Sequence, residues 1–393
     1  NPERITRIAN PYIVIDFCSE RRHEIIKYIT ETYGKCHVGC FADFGFRDTK
    51  SVMMEIATLL DVPDNHKNLI SKYFPSDFYL PMKIAMDNEP RLIDLKQKSD
   101  KLQKLFDITM CLDRLFSYRG IHERGIVVGR KKLKDLIPLY RDEENESISI
   151  QYEGYYGLEE YGFVLFELFG IKSLTFIRKI EDLIRKENPY FSIKNVPIDD
   201  EATLNIFRKG DTKDIFEFQS PEMKEFLRQI NPDSIEDLIV LNAMHYSYSW
   251  KYIPRIIDRK NGSIEITYPD PSLEEILKPT YGIFVYPEQF MEAASKVSGF
   301  SLGKSRGLWR KFIKKKAKKI EEEIKRDKIE FINGAVGRGY SKNQASNIFE
   351  DLKSVDGYAS SKSHAVAYTM IAYRMAFLKA HYPEEFRIGI IDF

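Results

Sequence analysis

Cysteine is scarce in this sequence. Its 393 residues include only four cysteines, all in the first third of the chain. A disulfide framework needs more cysteines at closer spacing, so apolar packing must hold the core. Cys36 and Cys40, with His37 beside them, give half of a zinc motif, but no second Cys/His pair follows at the spacing of a zinc finger. We therefore predict that the protein has no disulfide bonds and resides in the reducing cytoplasm.

Long apolar runs and biased segments are absent as well. No stretch of 18 apolar residues occurs, which argues against a transmembrane helix and a membrane partner. Hydrophobic residues (43%) and charged residues (30%) lie near the globular average, which excludes a disordered or collagen-like chain. The opening Asn1-Pro2-Glu3-Arg4 has neither an initiator methionine nor a signal-peptide core, so we expect a part of a larger protein.

Net charge is only +1, but one segment is strongly basic. Residues 304–319 hold nine Lys/Arg and no acid, and the acidic run Glu321-Glu322-Glu323 follows. If helical, the segment presents a basic face that can bind phosphates. The alternative is a solvated helix face whose charge is balanced by the acids that follow. Charge alone favours neither interpretation.

Apolar periodicity predicts a helix-rich α+β fold with its sheet early in the chain. The β-branched run at 12–17 predicts a buried strand, and 125–128 and 161–166 predict two more. Residues 48–115 have the pattern of amphipathic helices and lie between strands. From residue 173 onward the pattern is mostly helical, which completes the α+β order.

Two further helices are predicted with definite ends. Residues 21–33 place isoleucines at helical spacing, and Gly34 follows as a terminator. Near the end of the chain, a long helix is predicted from about Ser363 to His381, before Pro383.

A series of short motifs runs through the whole chain in order. They are residues 1–4 (NPER), 15–18 with Arg22 (IDFC, then R), 166–171 (FELFGI), 231–237 (NPDSIED), 279–291 (PTYGI, then Y, EQ and M), 310–316 (R, then KKK), 357–368 (GY, then KSHA and Y) and 378–386 (LKAHYPEEF). In this order and spacing the chain resembles the C-family bacterial replicative DNA polymerases, the alpha subunit of DNA polymerase III.

The resemblance implies three regions. A partial palm related to the polymerase-β nucleotidyltransferases would comprise residues 1–43 and 116–172. A helical thumb, residues 44–115, would be inserted in it. The fingers would comprise residues 173–393.

The resemblance also implies a damaged catalytic site. The family holds two Mg²⁺ ions with aspartates at alternate positions of one strand and on the strand beside it. Here Tyr12 and Val14 stand at the first two acidic positions, and Asp16 matches only the outer acid. Glu167 replaces the aspartate of the neighbouring strand. Asp16 and Glu167 are thus weak catalytic candidates, no cofactor is certain, and Mg²⁺ is expected only if the chain is active.

Cationic and polar residues that match the family remain as binding candidates. For nucleotide or phosphate they are Arg310, Lys314, Lys315, Lys316, Lys362, Ser363 and His364, and close to DNA they are His122 and Arg124. The group at 362–364 begins a predicted helix, where anions bind well. The alternative for this group is simple helix capping by Ser363.

Three functions follow as competing hypotheses. The first is a polymerase-core fragment, inactive or impaired, that binds primer-template DNA or nucleotide phosphates. The second is an active divergent or split polymerase, in which Asp16, Glu167 and an acid such as Glu20 or Glu160 hold the metals. The third is a relic without function. Partners expected from the resemblance are DNA, replisome proteins or a complementing polymerase chain.

Overall fold

The structure is a computed structural model. It describes residues 12–74, 81–113, 115–141, 148–153, 163–245, 247–313, 318–353 and 360–391. The chain divides into two compact units, Asn1–Ile171 and Lys172–Phe393, and each is described by itself.

Among the described residues, the first unit contains one mixed sheet of six strands. They are β1 (Tyr12–Cys18), β2 (Val38–Phe46), β3 (Phe116–Val128), β4 (Leu139–Arg141), β5 (Ile148–Glu153) and β6 (Val164–Ile171). Their order across the sheet is β1-β6-β3-β2-β5-β4. β6 pairs with β1 in parallel and with β3 in antiparallel orientation. A strand at 12–17 is confirmed, but the prediction that it is buried is wrong, since Val14 is 49% exposed and Ile15 40% exposed. The strand predicted at 125–128 is the end of the longer β3.

Helix α1 (Arg22–Tyr33) covers one face of this sheet. Ile29 is buried there in a cluster with Val38, Ile126 and Leu168. The helix ends at Gly34, whose φ of +91° is readily adopted only by glycine. The predicted helix at 21–33 is therefore confirmed.

Among the residues that the structure describes between β2 and β3 there are five helices, which confirms the predicted helical insertion between strands. They are α2 (Thr49–Leu59), α3 (Asp64–Tyr73), α4 (Met82–Asn88), α5 (Arg91–Lys96) and α6 (Asp100–Leu112). They share an apolar core of their own, in which Met53, Ile70 and Leu105 are fully buried. Asp113 joins two of these helices, because its carboxylate accepts hydrogen bonds from Thr49 Oγ1 (2.7 Å) and the Met82 amide (2.9 Å).

The described residues of the second unit are helical, as predicted. The helices are α7 (Lys172–Ile184), α8 (Glu201–Arg208), α9 (Pro221–Ile230), α10 (Ile235–His245), α11 (Ile253–Lys260), α12 (Glu274–Leu277), α13 (Pro287–Ser298), α14 (Leu302–Ile313), α15 (Lys318–Val336), α16 (Lys342–Lys353), α17 (Lys362–His381) and α18 (Pro383–Ile391). One core surrounds α10 and α17, and a second lies among α13 to α16. No helix of the described part of the chain is long and apolar enough to cross a membrane.

Candidate functional site

The register of β1 against β6 places the acidic candidates on one face of the sheet. Val14 pairs with Glu167, and Asp16 pairs with Phe169 two residues further on. Position 12 pairs with Leu165. Since side chains alternate along a strand, those of Val14 and Asp16 point to the Glu167 side. α1 packs against the opposite face, where Leu168 lies.

Glu167 and Asp16 are carboxylates without partners within the described residues. Glu167 is only 8% exposed, and Asp16 is half-buried. No hydrogen bond or ion pair of the described residues reaches either of them. Strand spacing and rise separate the two positions diagonally by roughly 8 Å. Val14, which is 49% exposed, occupies the position directly beside Glu167.

These residues do not fit a resident pair of magnesium ions. Mg²⁺ needs oxygen ligands, and a two-ion centre needs carboxylates that bridge ions about 4 Å apart. The part of the chain that the structure describes contains no group of three or more His, Cys, Asp or Glu side chains able to hold a metal. The valine at position 14 supplies no oxygen at the place between the two remaining acids.

Arg124 adds a cation to the same part of the sheet. Its guanidinium lies 4.9 Å from the centroid of the Phe169 ring, and Phe169 is the register partner of Asp16. The side chain is exposed and forms no ion pair with a described acid. The backbone of His122 pairs with Phe41 of β2 further along β3. Arg124 is thus placed where it can bind an anion from solvent.

Arg22, part of the second motif, is a structural residue in this fold. Its Nε donates to the carbonyl oxygen of Leu168 at 2.6 Å. This bond ties the start of α1 to β6 from the face opposite Glu167.

The basic segment divides into paired and unpaired cations. Lys311 of α14 forms ion pairs with Asp327 (2.7 Å) and Glu323 (3.5 Å) of α15, and Lys304 pairs with Glu330. These two lysines agree with the interpretation in which the acids that follow balance the charge of the basic segment. Arg310 is exposed and has no partner among the described residues, so it remains able to bind phosphate. Lys314, Lys315 and Lys316 lie outside the described residues.

Arg306 is a cation that the motif comparison missed. It is exposed on α14, four residues before Arg310, and has no partner in the described part of the chain. Residues four apart lie on one face of a helix, so the two guanidinium groups share a face. The four-residue spacing between Arg306 and Arg310 is visible in the sequence and could have identified Arg306 as a candidate.

The start of α17 corrects the capping interpretation. The N-cap is Ser361, whose hydroxyl accepts a hydrogen bond from the His364 amide at 3.3 Å. Ser363 lies inside the first turn, so its predicted role as the cap is wrong. Lys362 and His364 are both exposed there. The structure therefore brings these two candidates together at the positive end of a 20-residue helix.

The motif at 279–291 meets this helix end. The Lys362 amide donates to the Glu288 carboxylate at 3.3 Å, and Lys362 Nζ lies 6.0 Å from the ring centroid of Tyr286. Tyr286 is almost fully buried, and its burial, followed by the charges of Glu236 and Glu288, raises the pKa of its hydroxyl. The two motifs therefore lie side by side, although Lys362 and Glu288 are 74 residues apart in the sequence.

The motif at 231–237 is joined to the same motif by a buried charge cluster. The Tyr281 hydroxyl donates to Asp237 at 2.6 Å, and Lys260 Nζ lies 2.7 Å from the other oxygen of Asp237. Burial and the hydrogen bond to Asp237 raise the pKa of Tyr281. Asp233 is the second acidic partner of Lys260, and the hydrogen bond from Lys260 lowers the pKa of the Asp233 carboxyl group. These residues stabilise the fold of the second unit and are not free to bind a ligand.

Comparison with known proteins identifies two domain families in the chain. Residues 2–170 match the bacterial DNA polymerase III alpha NTPase domain, and residues 173–339 match the bacterial DNA polymerase III alpha subunit finger domain. The junction between the two matches coincides with the junction between the two compact units.

Curated relatives are similar over almost the whole chain. The DNA polymerase III subunit alpha of Borreliella burgdorferi is 42% identical over 386 residues, which are 98% of this chain and 33% of the relative. The subunit of Treponema pallidum is 38% identical over 98% of the chain and 32% of its own length. That of Escherichia coli is 32% identical over 100% of the chain and 34% of its own. The chain thus spans about a third of the length of these relatives.

Proposed function

The chain belongs to the family of bacterial DNA polymerase III alpha subunits, and we propose that it binds primer-template DNA or nucleotide phosphates without efficient nucleotide addition. On this proposal, residues 1–43 and 116–172 are a partial palm of the polymerase-β type, residues 44–115 the thumb and residues 173–393 the fingers. Replisome proteins or a complementing polymerase chain are its proposed partners, in the cytoplasm. The helical insertion in the sheet and the finger-domain match support this division.

One observation carries the proposed loss of catalysis, namely the pairing of Val14 with Glu167. Nucleotide addition depends on metal ions that stabilise the charge developing on the transferred phosphate. An aliphatic side chain beside Glu167, and a tyrosine at position 12, remove two of the oxygen donors that such ions need. Electrostatic stabilisation is usually the largest contribution to catalysis, so its loss removes most of the rate.

The binding half of the proposal rests on the second unit. Arg306 and Arg310 share a face of α14 without acidic partners in the described part of the chain, and Lys362 and His364 lie at the positive end of α17. Lys314, Lys315 and Lys316 extend the first group along the sequence. Guanidinium and ammonium groups of this kind bind phosphate oxygens by charge-assisted hydrogen bonds.

An active divergent or split polymerase is the second candidate. It is favoured by the two carboxylates, Asp16 and Glu167, that face the same side of the sheet without partners among the described residues. With Glu20 or Glu160, or with an acid from a complementing chain, they would have to hold the metal. A metal-soaked structure without an ion about 2.0–2.5 Å from these oxygens contradicts this candidate.

We expect no primer extension but clear DNA binding. The measurement is extension of a labelled primer with Mg²⁺ or Mn²⁺, beside a titration of the same primer-template at several salt concentrations. If cations such as Arg310 contact phosphates, log affinity falls linearly with log salt, with a slope that rises with the number of contacts. Robust extension contradicts the loss of catalysis. Absence of binding at low salt contradicts the binding function and supports a relic.

Replacing Val14 with aspartate is expected to create a Mn²⁺ site. The new carboxylate would lie beside Glu167 on the next strand, about 4.8 Å away, where two carboxylates can share one ion. In the variant, Mn²⁺ should raise the midpoint of thermal unfolding by several degrees, because a ligand that binds only the folded state stabilises it. The unchanged protein should show no such shift.

The matched control is Ile15→Asp. Ile15 is 40% exposed on the same strand but points to the opposite face. Its substitution adds the same charge without placing it near Glu167. A Mn²⁺ shift of equal size in both variants would contradict the assignment of position 14 to the Glu167 face.

A further inference from the structure

Three aromatic rings form a row that leads away from the start of α17. The His364 ring lies on the Tyr368 ring, with centroids 4.0 Å apart and an interplanar angle of 37°. The Tyr368 ring in turn contacts Phe216, at 5.2 Å and 34°. His364 is exposed, and the other two side chains are half-buried. These tilted contacts place the three rings one after another, with the exposed His364 at one end of the row.

Phe216 reaches this row from a loop with an unusual backbone. Asp214 and Glu217, on either side of it, both have a φ of +65°, which side chains other than glycine rarely adopt. Lys379 holds the beginning of the loop, since its Nζ lies 2.7 Å from both the backbone oxygen and a carboxylate oxygen of Asp211. Left-handed residues of this kind cost energy and tend to occur at functional sites. The loop therefore presents Phe216 in a fixed position.

Phe216 also lines a cavity of 220 Å³. Its wall is mostly apolar, with Phe176, Met375 and Ile390 beside Phe216. Three polar side chains also line it, which are those of Ser173, Asp214 and Gln219. An apolar wall with a few polar groups is typical of sites that bind a flat, hydrogen-bonding ring.

We propose that His364, Tyr368 and Phe216 form a stacking platform for an unpaired nucleobase, whose edge the polar groups of the adjoining cavity can bind. The proposal rests on the proposed DNA or nucleotide binding of this unit and specifies what the surface recognises beyond phosphate. Lys362, two residues before His364 at the positive helix end, supplies the cation for the neighbouring phosphate. Aromatic rings next to cations are how proteins bind single strands without sequence preference.

The decisive variant is Tyr368→Leu, because it removes the central ring but keeps an apolar side chain. Its matched control is Phe377→Leu at the other end of the same helix. Phe377 stacks on His381 with centroids 4.3 Å apart, so the control removes an aromatic partner of histidine from outside the proposed platform. Thermal unfolding of both variants checks that the fold is kept.

Affinity is measured for two single-stranded oligonucleotides of equal length, oligodeoxyadenylate and an abasic strand with the same phosphates. Base stacking on an aromatic ring contributes about 1–3 kcal/mol, so the unchanged protein should prefer the strand with bases by roughly 5- to 150-fold. Tyr368→Leu should reduce this preference towards one and leave the affinity for the abasic strand unchanged. Phe377→Leu should keep the preference.

Two results overturn the inference while leaving phosphate binding intact. One is equal affinity of the unchanged protein for both strands. The other is a preference that survives in Tyr368→Leu, which would make the ring row a part of the helix packing only. If neither strand binds at low salt, the proposed binding function itself fails, and the inference fails with it.

Discussion

Replacement of Lys260 with methionine is expected to lower the free energy of unfolding of the second unit by about 3–5 kcal/mol. The Lys260 side chain is 9% exposed and that of Asp237 is 3% exposed, and they lie 2.7 Å apart. Methionine keeps the apolar stem and removes the charge. The Asp237 carboxylate would then remain buried, with the Tyr281 hydroxyl as its remaining strong partner. A buried charge that loses its counter-ion costs more than the pair contributes when intact.

The same lysine provides a matched control. Asp233 lies 2.9 Å from Lys260 Nζ, but its side chain is 75% exposed. Solvent screens such a contact, so Asp233→Asn should cost about 1 kcal/mol or less. The measurement is urea denaturation followed by tryptophan fluorescence. Both tryptophans, Trp250 and Trp309, belong to the second unit, so the signal reports this unit alone.

A double variant distinguishes a lost charge pair from a lost scaffold contact. Removing both charges, with Lys260→Met and Asp237→Leu together, leaves no unpaired buried carboxylate in this cluster. It should be less destabilised than Lys260→Met alone, because apolar replacements of whole buried pairs are often neutral. If Asp233→Asn and Lys260→Met cost the same, burial does not govern this cluster and our interpretation is wrong.

The order of elements was largely predictable from the sequence, whereas several strands were not. β1 and α1 were predicted because their apolar residues have clear periods. β2 was missed, since Gly39 and Gly45 interrupt its pattern and weaken strand propensity. β4 has only three residues, too few for any period to show. These strands form because neighbouring strands supply their hydrogen bonds, which is a tertiary effect.

In the candidate site, motifs predicted which residues matter but not how they meet. The alternative interpretation makes Ser363 the cap of α17 although Ser361 occupies that position, because either serine can cap and helix starts shift by a residue or two. Lys304 and Lys311 looked equivalent to Arg310 in the sequence. Only the packing of α14 against α15 shows that acids pair with the two lysines, whereas Arg310 has no partner among the described residues.

Loss of catalysis and retention of binding concern different units on our proposal. The substituted acidic positions lie in the sheet of the first unit, and Arg306, Arg310 and the aromatic row lie in the second. Substitutions in one unit should therefore leave the other function unchanged. Val14→Asp should alter Mn²⁺ binding but not the preference for bases, and Tyr368→Leu should do the reverse.

Gly334→Ala is expected to destabilise the second unit by about 2–3 kcal/mol, although alanine favours helices. Gly334 lies in α15, where a Cβ atom would come within 2.2 Å of the Ser298 backbone oxygen at the end of α13. A backbone oxygen cannot rotate away as a side chain can, so the two helices must separate. Their contact belongs to the core that also holds α14 with Arg306 and Arg310, and the variant should therefore weaken DNA binding too.

Gly307→Ala is the control, and we expect it to change the stability of the second unit in the opposite direction. Gly307 lies inside α14, and a Cβ atom there would have no heavy atom within 4 Å. Without a clash, only helix propensity acts, and the substitution should stabilise by about 0.5–1 kcal/mol. Tryptophan-detected urea denaturation compares the two. If the two variants change the free energy of unfolding in opposite directions, the result supports close packing of α13 on α15 as the framework of the cationic helix. If both destabilise by the same amount, the result contradicts it, because the expected difference comes from the Ser298 contact.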